Sequence, residues 1–421
     1  MLFFYKVLTV VLYPFLIILI YLRTFIGKED PNRFKEKLFF QKKEVAANKL
    51  IWFHAASIGE INSIIPIVRH FLSKNEDLKI LITSVTLSSN KIFKNEFKNE
   101  KKIIHKYFPM DISFLVKDLI KNWSPKLVVF VDSEIWPNCI FEIKKQNIPI
   151  VLLNARITNK TCKRWLLFKN FAKEIFSSFS ICIASSLNSK ENLKLLGVNN
   201  TIYYGNLKYT ENSKKTSKLQ KPLLDSLNHR KVWLAASTHK KEEKFCYQVH
   251  MHLKKKYGDI LTIIAPRHIN RIKEIESEAN DLNLKYQIIN NNNEIVKNET
   301  EILLINSFGS LNDYYNYCKN VFIGKSLIKG LILEGGQNPI EAARLGCKIF
   351  HGPYVYNFLE VYEFLKLNGI SEKIEKPEEL SSKIMHNINS QLKIDDSKIK
   401  KIDMFGKDIL HKTIQKLEEF I

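Results

Sequence analysis

The chain has 421 residues and carries 65 Lys+Arg against 43 Asp+Glu, a formal net charge of +22. With 45% hydrophobic residues it can bury a large core, which excludes a disordered or fibrous chain, and its length suits two domains. The charge is uneven: residues 1–210 hold 32 basic and 16 acidic residues (net +16) and residues 211–421 hold 33 and 27 (net +6), so a nucleic acid, an anionic membrane or a phosphorylated substrate would meet mainly the first half.

Residues 2–22 are almost wholly apolar, interrupted by Lys6, Thr9 and Pro14. A span needs ~20 apolar residues, so the stretch is just long enough. Arg23, Lys28, Arg33, Lys35 and Lys37 follow it, and no A-x-A cleavage site does. That pattern reads as an uncleaved anchor over 1–24, with the bulk of the chain on the cytoplasmic side. Lys6 and Pro14 leave open whether the anchor spans the membrane or lies in its interface.

Short apolar runs then alternate with longer amphipathic ones. Residues 50–55, 78–85, 126–131, 148–153 and 180–184 read as buried strands. Residues 60–72, 112–122 and 135–146 read as helices between them. Residues 209–230 are polar and Lys/Ser-rich and read as a linker. The alternation restarts with strands at 232–236, 261–265, 302–305, 320–323 and 348–350 and ends in a helix over 404–420. This is an α/β chain: a first Rossmann-like domain over 25–208, a second over 231–405, and a C-terminal helix over 406–421 able to pack back on the first. Such sheets place sites at the carboxyl ends of their strands, here facing a cleft between the halves. Six scattered cysteines with no C-x-x-C argue against a disulfide scaffold or a zinc site. His250-x-His252 in a Lys-rich helix reads as a surface pair.

Four corners can carry chemistry. In WFHAASIGE (52–60) a strand runs through Ser57 and Gly59 into a helix, and Glu60 at the corner can take a proton from a hydroxyl; the plain alternative is a first-turn Glu that complements the helix dipole. In VDSEIWPN (131–138), Asp132 and Glu134 end a strand, and N-capping by Asp132 or Ser133 is the competing reading. In STHKKEE (237–243), Ser237 or Thr238 is a natural cap and offers backbone N–H groups to a phosphate, while Arg267 and His268 in APRH end the next strand. In EGGQNPIEAARLG (334–346), Gly335 and Gly336 permit close backbone approach, Gln337-Asn338-Pro339 opens a helix, and Glu341 can meet ribose hydroxyls. No P-loop and no G-x-G-x-x-G is present, so neither an ATPase nor a dehydrogenase is favoured.

Taken in order, WFHAASIGE, DSEIWPN, NARIT (154–158), GNLKY (205–209), STHKKEE, PRH, GGQNPIEAA and GPYVYNF (352–358) resemble the 3-deoxy-D-manno-octulosonic acid (Kdo) transferases of lipid A assembly, membrane-anchored glycosyltransferases of the GT-B fold. The resemblance runs from the anchor to about residue 365. It implies an inverting transfer of Kdo from CMP-Kdo to a lipid A precursor, lipid IVA, at the cytoplasmic face of the inner membrane. It places Glu60 as general base. It places Ser237, Thr238, His239, Arg267, His268, Gly335, Gly336, Gln337, Asn338 and Glu341 on the donor. Ser57, Gly59, Asp132, Glu134, Arg156 and Lys208 fall on the acceptor or transition state. No cofactor and no metal is expected, because cations and N–H groups can meet the charge of the leaving CMP.

The chain departs from the family pattern at Asp132, often Glu; at Lys325 in FIGKSL, often a second Gly; at Gln337, often His; and in a longer segment over 327–333. Arg156, Lys160, Lys163, Arg164, Lys169 and Lys173 form a stretch without acidic residues. It reads either as a solvated face or as a patch for acceptor phosphates and the anionic membrane surface. The alternatives are another GT-B enzyme using a UDP-sugar, a sugar-nucleotide epimerase, or a membrane-tethered nucleic-acid binder; no RRM, KH or zinc module supports the last, and no nucleic-acid partner is expected.

Overall fold

The computed structural model of the protein describes residues 1–40, 49–98, 100–210, 219–307, 309–331, 335–391 and 394–421. Part of the 209–230 linker (211–218), Glu334 and the end of the 327–333 segment lie outside the described residues. The chain forms two compact units, Met1–Glu211 with Gly406–Ile421, and Asn212–Phe405.

The first unit is built on seven parallel strands: β1 (Lys49–His54), β2 (Leu78–Ser84), β3 (Ile103–Tyr107), β4 (Leu127–Val131), β5 (Ile150–Ala155), β6 (Ile181–Ala184) and β7 (Thr201–Tyr203). Their order is β3-β2-β1-β4-β5-β6-β7, so the direction of winding reverses between β1 and β4. The central strands are buried on both faces, which is why they read as continuous apolar runs. Trp52, Val128, Phe130 and Leu152 join Ile140, Phe176 and their neighbours in one core.

The second unit repeats the plan with β8 (Lys231–Thr238), β9 (Ile260–Pro266), β10 (Tyr286–Ile289), β11 (Ile302–Ile305), β12 (Asn320–Ile323), β13 (Lys348–His351) and β14 (Ser371–Lys373). The order is β10-β11-β9-β8-β12-β13-β14, again all parallel, with the reversal between β8 and β12. Two parallel seven-stranded sheets in series are the architecture of the GT-B class.

Three readings change. Residues 221–227, taken as linker, form helix Lys221–Leu227, because Leu223 and Leu227 supply a buried apolar face. His250 is not at the surface: it is fully buried, with Nδ1 2.9 Å from Thr262 Oγ1. β3 has no clean apolar run, since His105 and Lys106 interrupt it, yet both are buried; Arg33 and Ser84 satisfy the His105 ring at 3.2 and 2.9 Å.

The N-terminal helix Leu2–Phe25 is long and apolar enough to cross a membrane, by length and composition. One of its faces is fastened to the first unit along its length. Tyr5 Oη donates to Asp111 (2.9 Å), Lys6 pairs with Glu142 (2.9 Å), Asn138 donates to Thr9 (3.0 Å) and Tyr13 donates to the Leu38 carbonyl. Further along, Ile17 and Ile20 pack on Phe34, Leu38 and Met110. The spacing of three and four residues places these groups on one face. Phe3, Phe4, Val7, Leu8, Val11, Phe15, Ile18 and Leu22 are exposed. At the other end of the chain, helix Asp396–Glu418 meets the first unit: Glu418 accepts from His70 (3.0 Å) and Lys74 (2.7 Å).

Candidate active site

The reversal between β1 and β4 is where an open parallel sheet leaves a crevice at its carboxyl edge. β1 delivers His54, and Ser57 then caps helix Ile58–Lys74. Glu60, in its first turn, folds back on the corner. Its Oε1 accepts from Ser57 Oγ (2.7 Å) and its Oε2 from the Ala56 N–H (2.7 Å). The Glu60 N–H points back at Ser57 Oγ (3.4 Å), so Ser57 is the cap and the Glu60 carboxylate braces the corner through Ser57 and the preceding Ala56 N–H. Each carboxylate oxygen nevertheless keeps a lone-pair direction for a further donor. Half-burial pushes the Glu60 carboxyl above the usual carboxylate range. The Ser57 hydrogen bond opposes this, Glu134 adds to it, the Ala56 N–H opposes it, and Asp132 adds again.

β4 delivers the other two carboxylates. Asp132 is buried in the left-handed region (φ 63), and Lys208 Nζ lies 3.5 Å from its Oδ2. Glu134 accepts from Trp136 Nε1 (2.9 Å) and faces His54 Nε2 (3.3 Å). The other His54 nitrogen bonds Thr83 Oγ1 (2.9 Å), and its ring stacks on Phe108 with centroids 4.0 Å apart. Neither Asp132 nor Ser133 caps the following helix, Pro137–Lys145. Asp111 does so from the end of β3, accepting the N–H groups of Asn138 (3.1 Å) and Cys139 (2.8 Å). Asn154 (φ 53) holds the Leu207 N–H at 3.0 Å, which sets the backbone that carries Lys208. Arg156 and Ser57 are exposed, and no side chain would meet a Cβ at Gly59. The structure thus ties Glu60 to Ser57, and Asp132 to Lys208, and it sets Glu134 and Asp132 near enough to act on the Glu60 charge.

In the second unit, a cavity of about 260 Å³ opens at the carboxyl ends of β8, β9 and β11. Ser237, Arg267 and Glu341, from three separate motifs, line it together. Ser307, Gly309 and Ser310 line it too and went unread; the turn-forming run Asn306-Ser307 with Gly309-Ser310 before helix Leu311–Tyr317 was the available signal.

Other residues expected on the donor stand elsewhere. Thr238 is fully buried and donates to Glu243 (2.9 Å). His239 turns its Nδ1 to the Ser237 carbonyl (3.1 Å), and its ring meets His268 edge-on at 5.6 Å. Burial lowers the His239 pKa, the Ser237 carbonyl raises it, and Lys325, His268 and Arg271 lower it again.

The helix-cap reading of the β8 corner needs correction, and the glycine-pair reading is narrowed. Neither Ser237 nor Thr238 caps helix Glu242–Lys254; Lys241 is the cap residue, and the His239 N–H goes to the Glu242 carboxylate (2.9 Å). At the glycine pair, the Gly336 N–H goes to the Lys325 carbonyl (2.7 Å) and the Ile340 N–H to Asn338 Oδ1 (3.1 Å). The Gly335 carbonyl accepts from Asn357 (3.1 Å) and the Gln337 carbonyl from Tyr362 (3.0 Å). These N–H groups are spent inside the protein. At the described cavity Arg267 offers an anion a cation, and Ser237, Ser307, Ser310 and Asn312 bring polar side chains to its lining. The departure at Lys325 sits at φ 58, where a glycine is unstrained, while Gly336, which keeps the pattern, sits at φ 91 with Val355 Cα 3.1 Å from where a Cβ would stand.

Residues 32–211 match the family 3-Deoxy-D-manno-octulosonic-acid transferase (kdotransferase). The chain is similar to the 3-deoxy-D-manno-octulosonic acid transferase of Rickettsia bellii, 31% identical over 89% of this chain and 88% of that one. It is 30% identical to a probable mitochondrial 3-deoxy-D-manno-octulosonic acid transferase of Arabidopsis thaliana, over 89% of this chain and 86% of the relative. Among solved structures, a glycosyltransferase from Rickettsia africae superposes with a TM-score of 0.60 at 14% identity, covering 89% of this chain and 99% of that one. A putative UDP-N-acetylglucosamine 2-epimerase from Listeria monocytogenes superposes with a TM-score of 0.58 at 14% identity, covering 89% and 98%. The two superpositions establish the fold, and the identity along almost the whole chain establishes that this protein belongs to the 3-deoxy-D-manno-octulosonic acid transferase family of glycosyltransferases.

Proposed function

We propose that the protein transfers Kdo from CMP-Kdo, with inversion, to a sugar hydroxyl of lipid IVA, with Glu60 as general base. The observation that carries this reading is the Glu60 carboxylate itself. It is held by Ser57 and Ala56 at the carboxyl edge of β1, and burial raises its proton affinity. A carboxylate with raised pKa is the better proton acceptor for an alcohol. In the transfer, the acceptor oxygen attacks the anomeric carbon of Kdo as Glu60 takes its proton. The bond from that carbon to the phosphate oxygen breaks, and its electron pair leaves with CMP. Charge on the leaving phosphate is met by Arg267, with Ser237 as a hydroxyl donor and Glu341 available to ribose hydroxyls. In this reading cationic side chains, rather than a metal, carry that load.

The acceptor is anionic and acylated, which suits the first unit. Lys160, Lys163, Arg164 and Lys169 are exposed around Leu167 and Phe168, themselves 76% and 54% exposed. The N-terminal helix offers an apolar face beside a face bonded to the protein, which suits an anchor lying in the membrane interface on the cytoplasmic side. The test is incubation of the full chain with CMP-Kdo and a tetra-acylated lipid A precursor. Release of CMP and a product heavier by whole Kdo residues is the expected result. Turnover of a UDP-sugar with none of CMP-Kdo would overturn it.

A further inference from the structure

Glu242 is the first of two adjacent glutamates after the β8 corner, and it is 1% exposed. Its carboxylate collects four backbone N–H groups. Oε2 accepts from His239 (2.9 Å) and Lys325 (2.7 Å), and Oε1 from Ser326 (2.9 Å) and Leu327 (3.0 Å). Three consecutive N–H groups turned to one point form a nest, a backbone concavity that suits an anion. Here the protein supplies the anion from its own chain.

The nest joins the corners that follow β8 and β12. They touch: a Cβ at Gly324 would stand 2.5 Å from the Ser237 carbonyl oxygen and 2.8 Å from Glu242 Oε2. Both corners hold a residue with a side chain in the left-handed region, Ser237 at φ 55 and Lys325 at φ 58, a conformation that persists only where surroundings enforce it. From the β12 corner the bonding continues. The Lys325 carbonyl takes the Gly336 N–H (2.7 Å), the Ser326 carbonyl takes the Tyr354 N–H (2.9 Å), and Ser326 Oγ takes the Gly352 N–H (2.9 Å). One carboxylate thus links the corner that presents Ser237 to the loops that carry Gly336 and Gly352.

We propose that Glu242 is a positioning residue of the donor site, an internal anion whose occupancy of the Lys325–Leu327 nest locks the β8 and β12 corners in the donor-binding arrangement. The assignment rests on the donor reading above. Glu242 touches no substrate in this role, so its loss acts on donor affinity and not on the acceptor.

The test uses the full chain with Glu242→Gln, and Glu242→Asp as the variant that keeps a carboxylate should the first not fold. Hydrogen exchange without donor is measured at the 325–327 amides, together with KM and kcat for each substrate. The amides should exchange faster in either variant. KM for CMP-Kdo should rise ~10- to 100-fold in Glu242→Gln, the effect of losing charge-assisted hydrogen bonds, and by less in Glu242→Asp; KM for the acceptor should stay as in the wild type. Added formate should restore part of the donor affinity of Glu242→Gly by refilling the nest. Unchanged amide exchange, or an unchanged donor KM in Glu242→Gln, overturns the proposal. A wild-type chain that does not use CMP-Kdo overturns the donor reading instead, and the exchange experiment still decides whether Glu242 locks the corners.

Discussion

In the proposed reaction Glu60 combines a structural and a chemical role in one carboxylate. Its bonds to Ser57 and the Ala56 N–H fix its rotamer, the Ser57 cap is worth about 1 kcal/mol to the helix, and in the proposed reaction the fixed rotamer holds the acid within reach of a substrate hydroxyl. Its proton affinity is set by burial first, with Glu134 and Asp132 contributing by charge. With ionised Glu60 as the proposed base, the rate should fall as pH drops through a pKa above the ordinary value of 4.5. Glu134→Gln removes one of the charges that raise it. The acid limb of the kcat profile should move to lower pH in that variant while the shape of the profile is kept; an acid limb at the wild-type position would show that Glu134 does not act on Glu60. The carboxylate was legible in WFHAASIGE as a corner acid. Its bond to the Ala56 N–H was not, since an S-x-x-E pattern says which residues cap but not how a carboxylate shares its two oxygens.

At the scale of elements, the sequence was most transparent where burial was complete. The central strands of both sheets are apolar on both faces, so runs such as LVVFV (127–131) and ILLI (302–305) could hardly be anything else. β3 (IIHKY) and the short edge strand β7 were missed, because a strand that buries a histidine and a lysine through side-chain partners, or is only half-buried, leaves no apolar run to read. The caps were hidden for another reason. Asp111 caps a helix that begins at Pro137, and Glu242 bonds residues 83 to 85 positions away; no local pattern encodes a partner at that distance. The N-terminal helix shows both limits. Its length and apolarity were plain, but Lys6, which reads as a flaw in a span, is the partner of Glu142. In the interfacial reading proposed above, a helix bonded to the protein at Tyr5, Lys6, Thr9 and Tyr13 would lie along the membrane surface instead of crossing it. A cysteine at position 2 should therefore react with a membrane-impermeant thiol reagent from the same side as the catalytic units; labelling only from the opposite side would establish a span.

At the scale of the whole molecule, the uneven charge of the chain now has a physical distribution. The basic excess lies in the unit that carries the apolar helix and the Lys-rich stretch around Leu167, whereas the second unit sets Arg267, the cation proposed to meet the donor phosphate, at one cavity. Both units carry acid-sensitive buried histidines: in the first, burial and then Arg33, Lys94 and Lys106 push the His105 pKa down to about 3. In the second, burial pushes the pKa of both His250 and His351 down to about 4. Between about pH 4 and the unperturbed value of 6.5 the unfolded chain binds protons that the folded chain refuses. Stability is therefore whole above 6.5 and falls with pH, by up to ~1.4 kcal/mol per pH unit for each histidine. His250→Asn can keep the bond to Thr262 without a titrating ring. Acid unfolding of the second unit should then be shallower between about pH 4 and 6.5, and an unchanged slope would assign the acid sensitivity to other groups.

The central claim is that a carboxylate at the β1 corner draws the proton in Kdo transfer. Its most direct test is the rate of transfer from CMP-Kdo to lipid IVA by Glu60→Gln, measured beside CMP affinity in the same preparation. Gln keeps the size of the side chain but cannot accept a proton. Loss of the base should lower kcat by ~10²- to 10⁴-fold while CMP binds as in the wild type. Turnover within a few-fold of wild type would contradict the assignment.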